Sequence, residues 1–121
     1  MDTKIKTTKL GKLRIYLKSG ETVKDERFIR KLFPKNKYRN LLNEAKNSGI
    51  RNAHIYHTHA AYERGGTVHH HHMESDNSGL TICLELVDDR VKLEQFFSTH
   101  KEMLKDKTVI YKEVEMWEHI D

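Results

Sequence analysis

Strand and helix patterns alternate along this chain of 121 residues, and their order predicts one α+β domain, residues 1–121. Four segments show strand patterns, and amphipathic helix patterns follow the first and the third of them. The order β-α-β-loop-β-α-β is that of a ferredoxin-like βαββαβ sandwich. Such a fold is a four-stranded antiparallel sheet with two helices on one face. Here a long loop would join strands two and three.

Alternating apolar and polar residues mark the strands. We expect strand one over residues 12–18, after a flexible N-terminus of residues 1–11. Strand three spans residues 80–88, and the last strand spans residues 108–116. The apolar faces hold Leu13, Ile15 and Leu17 in strand one, Ala53 and Ile55 in strand two, and Leu80, Ile82, Leu84 and Leu86 in strand three.

Two segments have helical periodicity. In the first, Tyr38, Leu41, Leu42 and Ala45 fall at i, i+3, i+4 and i+7, and Gly49 suits the C-terminal cap. The apolar residues of the second are Leu93, Phe96, Phe97, His100, Met103 and Leu104, with an N-cap at Asp88 or Asp89. A short helical turn over Phe28–Phe33, ended by Pro34, is expected before the first helix.

Composition narrows the class of protein. The lone Cys83 allows no intramolecular disulfide, which favours a reducing cytoplasmic compartment. We expect no membrane insertion, because no stretch approaches about 20 apolar residues. The net charge is +4, and acidic residues are mixed with the basic ones throughout the chain. We therefore expect a solvated basic face and no nucleic-acid partner.

The second face of the predicted sheet has no helix to cover it. Its residues include Tyr16, Tyr56, Cys83 and Val87, and Tyr111 is expected to join them. An apolar, tyrosine-rich face of this kind indicates a surface for a partner. Oligomerisation is the simplest way to cover it.

Four segments resemble the PII signalling superfamily, and are most similar to its uncharacterised PII-like family, domain of unknown function 190. They fall within residues 10–117 and read KLRIYL, NSGIRNAHIYH, LTICLELVDDRVKLEQFF and VIYKEVEMW. The third is the most specific, because it resembles a family strand-helix pattern, VVxEIVDxxxxIxxFL. None of these motifs is catalytic.

The resemblance implies a homotrimeric regulatory protein with its sheets packed inward. Such proteins bind small effectors, often adenine nucleotides, in clefts between subunits, and act on a transporter or enzyme that they regulate. The cleft walls are the foot of the long loop and the connector between helix two and the last strand. The implied binding residues here are Glu63, Arg64, Gly65, Gly66, Lys105 and Lys107.

Two departures from the family pattern affect that cleft. The family has an arginine-glycine pair at the end of strand two, and here His57 and Thr58 replace it. The connector Lys105–Thr108, KDKT, contains no glycine. Lysines can act as point charges for phosphate. A backbone cradle, however, needs glycine where the chain approaches closely.

The loop over residues 58–78 is rich in histidine. If its arms pair around a glycine turn, a two-residue turn puts His59 across from His72, and a three-residue turn centred on Gly65 puts it across from His71. Paired imidazoles can share a zinc, copper or nickel ion. The candidate ligands are His57, His59, His69, His70, His71 and His72.

Three interpretations of the loop remain open: a mobile polar tip, a metal site, and a protonation switch near the histidine pKa of about 6.5. An enzyme is not expected, because Cys83 lies mid-strand and no nucleophile-base spacing stands out. The leading hypothesis is a PII-like sensor, and the alternative is a metal-binding protein.

Overall fold

The computed structural model describes residues 4–23, 36–72 and 76–120. The expected helical turn over Phe28–Phe33 and its end at Pro34 lie outside these residues. In chain order the elements are β1 (Ile5–Lys18), α1 (Lys37–Asn47), β2 (Asn52–His57), β3 (Ala60–Ala61), β4 (His69–His70), β5 (Thr81–Asp88), α2 (Arg90–Thr99), α3 (Lys101–Leu104) and β6 (Thr108–His119).

Four of the strands form one antiparallel sheet in the order β2-β5-β1-β6. This is the predicted ferredoxin-like arrangement, in which β5 lies between the two strands that α1 connects. The core lies between one face of the sheet and the helices. It contains Leu13, Ile15 and Leu17 of β1, Ile82, Leu84 and Leu86 of β5, and Tyr38, Leu41, Ala45, Leu93, Phe96 and Leu104 of the helices.

Helix α1 ends as its sequence predicts. Gly49 has a φ of 77°, a left-handed conformation that glycine adopts without strain. The Gly49 N–H donates to the Lys46 carbonyl at 3.1 Å, and the Ile50 N–H donates to the Ala45 carbonyl at 3.0 Å. These bonds satisfy carbonyls at the helix end and turn the chain directly into β2.

The predicted second helix is interrupted at His100, where φ is −102° and ψ is 30°. The His100 ring lies 4.2 Å from the Phe96 ring, and its Nδ1 is 3.0 Å from the Phe96 carbonyl oxygen. Its Nε2 is 3.8 Å from a Glu44 carboxylate oxygen on α1. The side chain is 10% exposed, so His100 lies at the edge of the core and joins the two helices.

The prediction of a flexible tail over residues 1–11 is wrong for residues 5–11. Strand β1 begins at Ile5, and it pairs with β6 from Ile5 opposite His119 to Tyr16 opposite Thr108. The β5 pairing reaches only to Gly11. Residues 5–10 and 114–119 therefore form a two-stranded ribbon that continues beyond β5. Backbone pairing stabilises this strand where side-chain alternation is absent.

The second face of the sheet, here called the open face, carries charge at its centre. Glu85 is 5% exposed, and its carboxylate is 3.1 Å from Arg14 Nε and 3.5 Å from Lys12 Nζ. The expectation that Tyr111 lies on this face is wrong, because Tyr111 pairs with Leu13 and packs against the core. Ile110 occupies the open face instead and is 49% exposed.

Candidate functional site

The long loop contains a short hairpin made by β3 and β4. Its turn is centred on Gly65, whose φ of 76° is left-handed. The Gly66 N–H donates to the Glu63 carbonyl at 2.7 Å and closes the turn. The strands are only two residues long each, and residues 64–68 between them are exposed.

The hairpin register agrees with the three-residue turn centred on Gly65. Ala60 lies opposite His70, and the His71 N–H donates to the His59 carbonyl at 2.6 Å. The rings of His59 and His71 meet edge to face, with centroids 6.0 Å apart. The alternative register, with His72 opposite His59, is wrong.

The other candidate metal ligands are dispersed. The rings of His57 and Tyr38 meet edge to face with centroids 6.1 Å apart, and the His69 ring lies over Gly79. Asn77 uses its side-chain amide to bond both backbone groups of His72, at 2.9 and 2.8 Å. Within residues 4–23, 36–72 and 76–120, no three histidine, cysteine or acidic side chains gather closely enough to hold a metal ion.

The connector after α3 forms its turn without glycine. Asp106 takes the left-handed conformation, with a φ of 64°, that a glycine would usually supply. The Lys107 N–H donates to the Leu104 carbonyl at 3.1 Å. This turn directs the Lys107 ammonium to the carboxylate of Glu21, which lies in the turn after β1.

The foot of the loop and the connector meet in one cleft of about 170 Å³, here called the basal cleft. Its lining consists of Tyr16, Leu17, Lys18, Glu21, Glu63, Thr81, Asp106, Lys107 and Thr108. Lys18 and Thr81 are opposite each other in the β1–β5 register. The cleft therefore lies at the end of the open face, next to the loop.

Two hydrogen-bonded groups organise the cleft. In one, the Thr81 hydroxyl donates to the Glu63 carboxylate at 2.9 Å and accepts from Lys18 Nζ at 3.4 Å. In the other, the Glu21 carboxylate contacts Lys107 and accepts from the Lys18 backbone N–H at 2.7 Å. Burial raises the pKa of Glu21, but Lys107 and the Lys18 N–H outweigh it and bring that pKa below its usual value.

Of the six implied binding residues, Glu63 and Lys107 line this cleft. Arg64, Gly65, Gly66 and Lys105 are exposed, the first three in the hairpin turn and Lys105 in the connector. The lining residues that were not predicted from the sequence as binding residues are Tyr16, Leu17, Lys18, Glu21, Thr81, Asp106 and Thr108. The signal that could have found Lys18 and Thr81 is their position at the ends of strands that pair.

Comparison with protein families gives a match to DUF190, described as "Uncharacterized ACR", over residues 10–116. The chain is a member of the DUF190 family. It is also 28% identical over 106 residues to a UPF0166 protein of Aquifex aeolicus, covering 88% of this chain and 95% of the relative.

Solved structures of PII-like proteins share the fold. A protein of Thermus thermophilus described as PII-like and signalling has a TM-score of 0.53 at 17% identity, covering 93% of this chain and 92% of that one. CPII of Thiomonas intermedia, a nitrogen regulatory PII-like protein solved with ADP and bicarbonate, has a TM-score of 0.56 at 12% identity, covering 94% and 92%. Among the described residues of the DUF190 chain, no helix is long and apolar enough to cross a membrane.

Proposed function

We propose that this protein is a PII-like regulatory sensor that binds an adenine nucleotide in the basal cleft. The cleft lies between subunits of a homotrimer, and the loop reports its occupancy to a transporter or enzyme in the cytoplasm. The role is one of binding and signalling, without a catalytic step.

The observation that carries this proposal is the meeting of two distant segments in one cleft. Glu63 comes from the foot of the loop and Lys107 from the connector, and Thr81 on β5 links Glu63 to Lys18. A ligand that engages Lys18 therefore acts on the side chains that hold the foot of the loop, and one that engages Lys107 acts on Glu21, which accepts the Lys18 N–H. This is the arrangement that a sensor needs, because the binding site and the reporting segment share contacts.

The cleft lining contains two lysines, Lys18 and Lys107, which can pair with phosphate as point charges. CPII, which shares this fold, has been solved with ADP, AMP and bicarbonate. Those ligands belong to CPII, and we extend them to this chain as a proposal.

The size of the basal cleft supports a shared site. Its volume of about 170 Å³ is below the range, roughly 300–1,000 Å³, of pockets that enclose small organic ligands. Four of its lining residues lie on the open face: Tyr16, Lys18, Thr81 and Thr108. On the same face, Tyr56 is 52% exposed. A subunit that covers the open face would also supply the missing wall.

A titration of thermal stability tests the proposal. ADP, ATP and AMP should each be added to the metal-free protein, and saturable stabilisation by at least one of them is expected. The variant with alanine at His69–His72 should retain this response, because these residues lie outside the cleft. Lys107→Gln should lose it. Stabilisation by no adenine nucleotide would contradict the proposal.

A second candidate function is transition-metal binding by the hairpin, which the pairing of His59 with His71 favours. Two imidazoles make an incomplete site, so water or a neighbouring subunit would supply the other ligands. Zinc, copper and nickel should then stabilise the wild type, and His71→Ala should remove the effect. Equal stabilisation of both proteins by metal would refute a specific site at this pair.

A further inference from the structure

Glu21 occupies an unusual place in the basal cleft. Its carboxylate contacts the Lys107 ammonium, lies 3.9 Å from Lys37 Nζ, and accepts a hydrogen bond from the Lys18 N–H. Its side chain is 22% exposed, and that of Lys107 is 21% exposed. The carboxylate is thus partly shielded from water and is surrounded by donors.

This set of donors is the kind that binds a phosphate or carboxylate oxygen of a ligand. Two ammonium groups and one backbone N–H surround the Glu21 oxygens. The cleft also contains Glu63 and Asp106, so its lining has two lysines against three carboxylates. An anion entering this lining meets net repulsion until a carboxylate is displaced.

We propose that Glu21 is an internal competitor for the anionic group of the effector. The inference rests on the proposed function, because the ligand is taken to be an anion bound in the basal cleft. Glu21 occupies Lys107 in the free protein, and the anionic group replaces it when the ligand binds. Lys18 donates its backbone N–H to Glu21 and its Nζ to Thr81. Replacement of Glu21 by the ligand therefore changes the contacts of Lys18, and through Thr81 it affects the foot of the loop.

A purely structural role for the ion pair makes the opposite prediction. If Glu21 only fixes the connector to the turn after β1, its removal should disorder Lys107 and weaken anion binding. If Glu21 competes, its removal should strengthen binding. With both side chains about one-fifth exposed and partly screened, loss of one carboxylate beside the anion should tighten binding by about tenfold.

The test uses Glu21→Gln, which keeps an acceptor for the Lys18 N–H, and Glu21→Asp, which withdraws the carboxylate from Lys107. The matched control is Glu94→Gln. It removes one carboxylate from an ion pair with Arg90 outside the cleft, so the change in net charge is the same. Circular dichroism should show that each variant is folded, and calorimetry should measure binding of ADP, inorganic pyrophosphate and adenosine.

Glu21→Gln should bind ADP and pyrophosphate about tenfold more tightly, with a smaller gain for Glu21→Asp and none for Glu94→Gln. Adenosine, which is uncharged, should bind all variants equally. If wild type binds ADP and neither Glu21 variant binds more tightly, the competitor role is refuted while the proposed function stands. If no protein binds ADP, the proposed function fails. Pyrophosphate binding then tests the competitor role. If wild type and Glu21→Gln bind pyrophosphate equally, or if neither binds it, the competitor role is overturned.

Discussion

Thr81 connects the basal cleft to the loop, and replacing it with valine should loosen the hairpin without unfolding the domain. The residue is 2% exposed, and its hydroxyl donates to the Glu63 carboxylate at 2.9 Å. Valine has nearly the same shape and cannot make this bond. Because Glu63 is partly exposed, water can replace the lost donor, and the local cost should be about 1 kcal/mol.

The cost to global stability should be smaller. Valine places a methyl group where the hydroxyl was, and a buried methyl contributes about 0.8 kcal/mol. This gain nearly offsets the lost hydrogen bond in the folded state as a whole. The hairpin loses the hydrogen bond to Thr81 and gains nothing from the methyl group, so its local opening should become about fivefold more frequent.

Amide hydrogen exchange followed by mass spectrometry measures both effects. Peptides covering residues 58–72 should exchange about fivefold faster in Thr81→Val, while the urea midpoint stays nearly constant. Thr7→Val, an exposed substitution in the ribbon of β1, is the control and should change neither quantity. Unchanged exchange in the hairpin of Thr81→Val would refute the role assigned to this hydroxyl.

Three further perturbations follow from the structure. Gly11→Ala should destabilise the domain by about 2 kcal/mol in urea unfolding, since a Cβ there would lie 2.5 Å from the Tyr111 ring; an unchanged midpoint would contradict this packing. Ile110→Asp on the open face should weaken subunit assembly by at least about 2 kcal/mol per subunit, seen by light scattering as a smaller particle. An assembly that resists this change would show that the open face is not the interface. The pKa of Glu21 is lower in the folded protein than its ordinary value near 4.5. Ionised Glu21 therefore stabilises the fold fully above pH 4.5, and this stabilisation is lost as the pH falls through the folded pKa. Urea unfolding between pH 7 and 3 should thus be less acid-sensitive in Glu21→Gln, and equal sensitivity would contradict the ion pair.

The sequence predicted the parts of the fold that side-chain patterns determine. Leu13, Ile15 and Leu17 alternate because one face of β1 is buried, and this pattern is visible without a structure. The start of β1 could not be found in this way. Residues 5–11 lack that alternation, and their strand is seen only in its backbone pairing with β6.

The break at His100 illustrates a second limit. Apolar periodicity continues through this position, so the sequence predicts one helix. At His100 the backbone leaves the helical conformation, although its N–H still donates to the Phe96 carbonyl at 3.1 Å and its Nδ1 lies 3.0 Å from the same oxygen. Periodicity reports which residues are buried, and it does not report such a local change in backbone conformation.

The candidate site was predictable in part. Glu63 and Lys107 came from the family resemblance, because that resemblance identifies the two segments that form the cleft. Lys18, Glu21 and Thr81 depend on strand register and on the turn after β1. Alternation shows which face of a strand is buried, but it does not show which residue of the neighbouring strand lies opposite.

Isothermal calorimetry of ADP binding to the wild type and to Lys107→Gln decides whether the basal cleft is a nucleotide site. We expect saturable binding to the wild type. We also expect at least about a tenfold loss of affinity in Lys107→Gln, because one charge-assisted contact to phosphate contributes about 1.5–3 kcal/mol. Equal affinity in the two proteins, or no binding to the wild type, would contradict a nucleotide site between the foot of the loop and the connector.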